Sequence, residues 1–215
     1  MIASWRKFAP DRRARAEGGF TMLEVLVALL ILLIGLLGLA GLLVTTQQGE
    51  VEAYQRKQAT VLLQDMIDRM TANANVGKTP GECYAFTTDT ANGSPFLGTD
   101  YGGTLPPVCS GGSATLNARG SADLQAWHDT LLGISEKKGT ANVGAIIEAR
   151  GCVSTTLGSG LYTVSVAWRG LAATVAPPAA YTCGKNQYKD GAGVADDRLR
   201  RVVSTTIRIA DLKAS

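Results

Sequence analysis

Few side chains in this sequence have the type and spacing to do chemistry, and one is distinguished by where it stands. Glu24 lies directly before the uncharged run Val25 to Val44, inside an apolar stretch that begins at Phe20. A carboxylate at membrane depth costs a few kcal/mol unless it is paired, so it reads as a functional group in need of a cation. The cysteines Cys83, Cys109, Cys152 and Cys183 all follow the run. No two of them have a C-x2-4-C spacing and the chain has one histidine, His128, so two disulfides are expected rather than a zinc site. Four cysteines allow three connectivities, and sequence order favours Cys83 with Cys109 and Cys152 with Cys183. No G-x-S-x-G, Walker loop or H-E-x-x-H is present. Gly158-Ser159-Gly160 reads as a turn. Asp196 and Asp197, beside Arg198, Arg200 and Arg201, read as a surface ion-pair cluster rather than a cation site. The expectation is a binding and building element, not an enzyme, with no catalytic residues, cofactor or metal.

Charge and composition narrow the class further. The net charge of +3 is carried by the first nineteen residues, where Arg6, Lys7, Arg12, Arg13 and Arg15 outnumber Asp11 and Glu17, and the rest of the chain is neutral. A neutral body after a basic leader lacks the basic face that phosphate binding needs, so nucleic acid is not expected as the main partner. With 46% hydrophobic and 18% charged residues, disorder is excluded for most of the chain. The 215 residues suffice for one ordinary domain plus something extra.

That extra part is the apolar run. Its twenty residues, at about 1.5 Å each, reach about 30 Å, the thickness of the hydrocarbon core. The basic residues before it hold that end in the cytoplasm, which sends the body across. A cleaved secretory signal would have a shorter apolar stretch ending at a small-x-small site. Here Thr45-Thr46-Gln47-Gln48 follows, and the nearest match, Gly38-Leu39-Ala40, lies inside the run. Gly35, Gly38 and Gly41 mark a helix contact face, soft points where the helix melts, or both.

The segment Gly18-Gly19-Phe20-Thr21-Met22-Leu23-Glu24-Val25 resembles the processing site of type IV prepilins: a basic leader ending in glycine, then Phe, then Glu at the fifth position after the junction. The resemblance implies that a membrane-embedded prepilin peptidase cuts between Gly19 and Phe20 and methylates the new amino group of Phe20. It also implies that Glu24 pairs with a neighbouring subunit's terminal ammonium during assembly. Elementary electrostatics agrees, because a carboxylate and an ammonium in low dielectric stabilise each other while each alone is costly.

Beyond the run, Ala59, Leu62, Leu63, Met66, Ile67 and Met70 repeat at helical spacing, with Gln55, Arg56, Gln58, Gln64, Asp65 and Asp68 on the polar side. With no proline between Asp11 and Pro80, a single helix from about Phe20 to Thr71 is expected, with a bend allowed at Gly49. Glu50, Glu52, Arg56 and Lys57 read as solvated surface. Residues 73 to 120 read as loop. Ser121 is expected to cap a helix that carries Leu124, Trp127, Leu131 and Leu132 on its apolar side and ends at Gly133, with Trp127 in the core and His128 a surface or capping residue rather than a catalyst. Tyr162, Val164, Val166 and Trp168 alternate with Thr163, Ser165 and Ala167 as in a half-buried strand. Ala145 to Val153 is expected to pair with it across the turn 156–160, and Val202 to Ile209 forms a third strand.

The expected fold is α+β: a long N-terminal helix on an antiparallel sheet of three to four strands, with one short extra helix. This arrangement is similar to the pilin fold. Ile34 to Gly41, Asp65 to Met70 with Asn73 and Asn75, the Trp127 helix and the strand Tyr162 to Trp168 look most like the PilV-type minor pilins. The resemblance implies a leader at 1–19, a membrane or filament-core helix at 20–44, its amphipathic continuation at 45–72 and a periplasmic head at 73–215. It implies a minor pilin anchored in the inner membrane and then carried in the pilus fibre near its tip. The implied partners are the major pilin, other minor pilins, a tip adhesin, the prepilin peptidase and the inner-membrane assembly platform. A minor pseudopilin of a type II secretion system shares these features, and a DNA-uptake pilin binding through Arg198, Arg200 and Arg201 is a further alternative.

Overall fold

The computed structural model describes residues 19–74, 83–105, 107–110, 113–134, 136–142, 144, 146–156 and 160–209. The leader up to Gly18, Asn75, Ala145 and the Gly158-Ser159 part of the expected turn lie outside the described residues. The chain divides into two compact units, residues 1–47 and 48–215. In the first, the described residues are helical from Met22 onward and exposed throughout. The helix, α1, runs Met22–Ala72 and is long and apolar enough to cross a membrane.

The second unit is an α+β, pilin-like head. Its sheet has the order β1-β4-β5-β6, antiparallel throughout, with β1 Leu97–Gly98, β4 Arg150–Thr155, β5 Leu161–Arg169 and β6 Arg200–Arg208. A separate two-stranded ribbon joins β2 Lys137–Lys138 to β3 Ala141–Asn142. Ala59, Leu62, Leu63, Met66 and Met70 of α1 pack with Val153, Tyr162, Val164, Val166 and Trp168 of the sheet. Gln55, expected on the polar side, is buried with this stripe, because it stands four residues before Ala59 on the same helix face.

The second helix, α2, spans Ala114–Leu131 and begins two turns earlier than expected. Its cap is Ser113, whose hydroxyl accepts the Leu116 N–H. Ser121 lies inside the helix, where its Oγ accepts the Cys109 N–H at 3.1 Å. Gly120 does not stop the helix, since one interior glycine costs only about 1 kcal/mol and Gly120 is buried. Thus the stretch expected as loop holds the first part of α2 and also β1. Gly133, at φ 62°, ends α2 as expected, taking the left-handed conformation that glycine adopts without strain.

Trp127 is fully buried and its Nε1 donates to the Leu62 carbonyl of α1 at 2.9 Å. His128 is buried too, contrary to its expected surface place. Its Nδ1 accepts the Gly98 N–H at 3.1 Å, and Tyr101 meets it edge-on at 5.5 Å. The C-terminal end of α1 is tied to α2 through Tyr84, whose hydroxyl donates to Asp123 at 2.6 Å and accepts from Asn73 at 3.0 Å. Burial and then the Asp123 bond push the Tyr84 hydroxyl's pKa well up, so it stays a donor.

Two strand expectations change. The strand after the α2 region starts at Arg150, not Ala145, because Glu148 takes φ 50° and interrupts the extended backbone. The β5 strand is buried on both faces rather than one over Ser165 to Trp168. The β5–β6 connection returns across it, bringing Cys183, Tyr188 and Leu199 against Cys152 and Ala167.

Two measurements check this packing. A Cβ at Gly151 would collide with the Trp127 ring and with Leu131, so Gly151→Ala is expected to destabilise the head by about 1–3 kcal/mol in denaturant unfolding. Burial lowers the pKa of His128 below the ordinary histidine value, so between the folded and unfolded values the unfolded chain binds the extra proton. The resulting stability is present in full above about pH 6.5 and is lost as pH falls through the folded value. Because His128 is the chain's sole histidine, His128→Gln is expected to flatten the pH dependence of unfolding in that window.

Candidate processing and assembly site

The Gly19–Phe20 junction lies ahead of α1 in non-helical, exposed backbone, and a Cβ at Gly19 would meet nothing within 4 Å. Gly19 and Phe20 are therefore unobstructed among the described residues. The helix starts immediately after, and its start is built by a residue that the sequence reading passed over. Thr21 accepts the Glu24 N–H on its carbonyl at 3.0 Å and on its hydroxyl at 3.3 Å, and its carbonyl also accepts the Val25 N–H at 3.3 Å. The signal was present as Thr21-Met22-Leu23-Glu24, the S/T-x-x-E pattern of a helix N-terminus.

Glu24 thus sits in the first turn of α1, where the unpaired N–H groups favour a negative charge. No ion pair among the described residues reaches it, so its carboxylate is open to a cation from outside. Gly35, Gly38 and Gly41 share this openness: a Cβ at any of them would meet nothing within 4 Å. No contact among the described residues requires glycine there.

In the head, Cys83 is bonded to Cys109 and Cys152 to Cys183, with Cα separations of 4.7 and 5.8 Å. Among the described residues no group of three or more His, Cys, Asp or Glu side chains gathers to hold a metal. The expected surface cluster around Asp196 and Asp197 is only partly at the surface. Arg200 is 1% exposed, bonded to both Asp197 oxygens at 2.7 and 2.6 Å and to the carbonyls of Tyr181 and Cys183. Arg198 stays outside and clasps Asp196 at 2.8 Å. Arg201 reaches Glu52 on α1 at 3.2 Å, and Glu52 also accepts the Leu171 N–H at 3.0 Å. Glu52 is therefore a tie between α1 and the β5–β6 connection rather than a solvated charge.

Burial raises the Asp197 pKa, but the Arg200 and Asn186 hydrogen bonds outweigh it and hold the carboxyl below the usual range. Asp196 is held low by its bonds from Arg198. All three guanidiniums named in the DNA-uptake alternative are already matched by carboxylates. A second buried arginine, Arg150, pairs with Asp100 and lies 4.7 Å from the Tyr188 ring and 5.4 Å from Phe96.

Residues 14–40 match the family model of the prokaryotic N-terminal methylation motif. Neither the curated proteins nor the solved structures contain a match. The motif, the one membrane-length apolar helix among the described residues and the α+β head support a type IV pilin-like or pseudopilin protein. The motif points to a structural subunit, and together with the apolar N-terminal helix it fits inner-membrane anchoring and assembly with other pilins in a pilus-type complex.

The buried Asp197–Arg200 pair carries a test. Removing one partner of a buried pair strands the other, so Arg200→Met is expected to cost about 3 kcal/mol in head stability. Arg198→Ala, at an exposed pair, is expected to leave the unfolding midpoint unchanged.

Proposed function

We propose that the chain is a minor pilin of a type IV pilus, of the PilV type. Prepilin peptidase removes residues 1–19 and methylates Phe20. Residues 20–44 hold the subunit in the inner membrane and then enter the filament core, 45–72 continue the helix, and 73–215 form a periplasmic head braced by the disulfides of Cys83, Cys109, Cys152 and Cys183. Glu24 pairs with the terminal ammonium of a neighbouring subunit and so sets the axial register. The subunit primes or modifies assembly near the tip, with the major pilin, other minor pilins, a tip adhesin and the assembly platform as partners.

The observation that carries this reading is the open junction at Gly19–Phe20 joined to an unpaired carboxylate one helical turn later, within a segment that matches the methylation motif. The shared architecture extends to minor pseudopilins of type II secretion, and the assay that separates the two is loss of twitching against loss of exoprotein secretion on deletion.

Intact-mass spectrometry of the chain, from hosts with and without prepilin peptidase, is expected to show peptidase-dependent loss of residues 1–19 and one added methyl on Phe20. An unprocessed chain in both hosts would overturn the reading. Glu24→Ala is expected to leave cleavage intact while reducing recovery of the subunit in sheared filaments at least tenfold.

A further inference from the structure

We propose that the sheet face turned away from the Trp127 core is a binding site for a neutral glycan. A trough of about 470 Å³ lies there, between the sheet and the segments on either side of it. This volume falls in the range of about 300–1,000 Å³ typical of small-molecule sites. Its floor is a row of hydroxyls on three adjacent strands: Ser154 on β4, Thr163 and Ser165 on β5, Ser204 and Thr206 on β6. Register makes them neighbours, since Ser154 is opposite Thr163, Thr163 opposite Thr206, and Ser165 opposite Ser204. The Cys152–Cys183 disulfide lies at one end of this floor, and Tyr181 stands at the rim with its side chain partly exposed.

The chemistry of the lining selects the ligand. No charged side chain lines the trough among the described residues, so a phosphate, carboxylate or sulfate group would meet no counter-charge there and an uncharged ligand is favoured. The arginine beneath it, Arg200, spends its donors on Asp197 and two carbonyls. The floor is equally poor for an apolar ligand, because it would bury hydroxyls without partners.

Hydroxyls both donate and accept, and the cross-strand pairs use only part of that capacity. Thr163 and Thr206 share one hydrogen at 3.1 Å, leaving the second hydrogen and further lone pairs for a ligand. Ser165 is buried and paired with Ser204 at 2.8 Å, and Ser204, half-buried, lies 3.4 Å from the Val164 carbonyl, so Ser204 is the member of the pair that presents an acceptor. A surface of mixed donors and acceptors with no net charge matches the hydroxyls of an uncharged sugar. Tyr181, a lining residue that is exposed, offers an aromatic side chain for the C–H side of a sugar.

The test uses the full chain in a detergent without a sugar headgroup, since a maltoside would itself compete. Neutral oligosaccharides of glucose, mannose and N-acetylglucosamine are titrated by calorimetry, with sialylated and sulfated oligosaccharides and a Ser/Thr-rich peptide alongside. At least one neutral oligosaccharide is expected to bind saturably with Kd between about 10 μM and 1 mM. Thr206→Val and Tyr181→Ala are each expected to weaken it at least tenfold without moving the thermal unfolding midpoint. Should Thr206→Val disturb folding, Tyr181→Ala decides alone, because the backbone carbonyl of Tyr181 that Arg200 holds is retained. The proposal is overturned by the absence of saturable binding, by equal binding of the variants, or by binding confined to the charged sugars or the peptide. The proposal is independent of which filament system takes up the subunit.

Discussion

The indole of Trp127 has no exposed surface, and its Nε1 reaches the Leu62 carbonyl on α1. A buried tryptophan removes about 150–250 Å² from water, a gain of about 4–6 kcal/mol at 25 cal/mol per Å². That gain is kept only if the one polar atom of the ring finds an acceptor. The rest of the head is arranged around this requirement. α1 must offer the Leu62 carbonyl on its buried stripe, α2 must turn residues 124, 127 and 131 inward, and β4 must come close enough for the ring to close over it. The last condition fixes residue 151 as glycine, where any side chain would stand in the ring. His128, next to the tryptophan, then falls beside β1, where the Gly98 N–H takes its ring nitrogen as acceptor.

The other face of the sheet is organised on different terms. There the Cys152–Cys183 bond draws the β5–β6 connection back over the strands, and a loop closed over 31 residues contributes about 3–4 kcal/mol through the unfolded chain. Under that return a small apolar cluster of Ala167, Tyr188 and Leu199 is flanked by buried arginines. Arg150 lies against Tyr188 and Phe96 and meets Asp100, while Arg200 is held by Asp197 and two carbonyls. Each charge is balanced within a few ångströms, and the remaining floor is left to serine and threonine.

What the sequence made legible was periodic, and what it hid was non-local. The α1 stripe, the apolar side of α2, its end at Gly133 and the alternation of β5 could be read because each repeats within one element. Gln55 was misplaced because its residue type outweighed its position four residues before Ala59. The start of α2 is hidden because Ser121 offers a cap signal at the end of a Gly-, Ser- and Thr-rich stretch, whereas the helix is capped at Ser113 and packs against β1 and β4. His128, Arg200 and Glu52 looked like surface groups, since their partners Gly98, Tyr181 and Arg201 are distant in sequence or come from backbone carbonyls. At the N-terminus, the junction and Glu24 stood out by type and place. Thr21 did not, because its role lies in a hydrogen bond that is invisible to hydropathy.

That threonine bears on what Glu24 is for. The first turn of any helix leaves backbone N–H groups unpaired, and in a membrane each would be costly. Thr21 takes the Glu24 N–H with its own oxygens, and no ion pair among the described residues engages the Glu24 carboxylate. The favourable field at a helix start is worth about 0.3–1 kcal/mol to a carboxylate, less than the few kcal/mol that a buried charge costs. Among the described residues no cation approaches to meet the deficit. In the proposed role it would be met by a positive group of another molecule at the same depth, such as the amino group that cleavage after Gly19 would expose on a neighbouring subunit. An unsatisfied carboxylate of this kind favours association in one register and disfavours the others, which is how a single residue can order a filament that is otherwise held by featureless apolar contact.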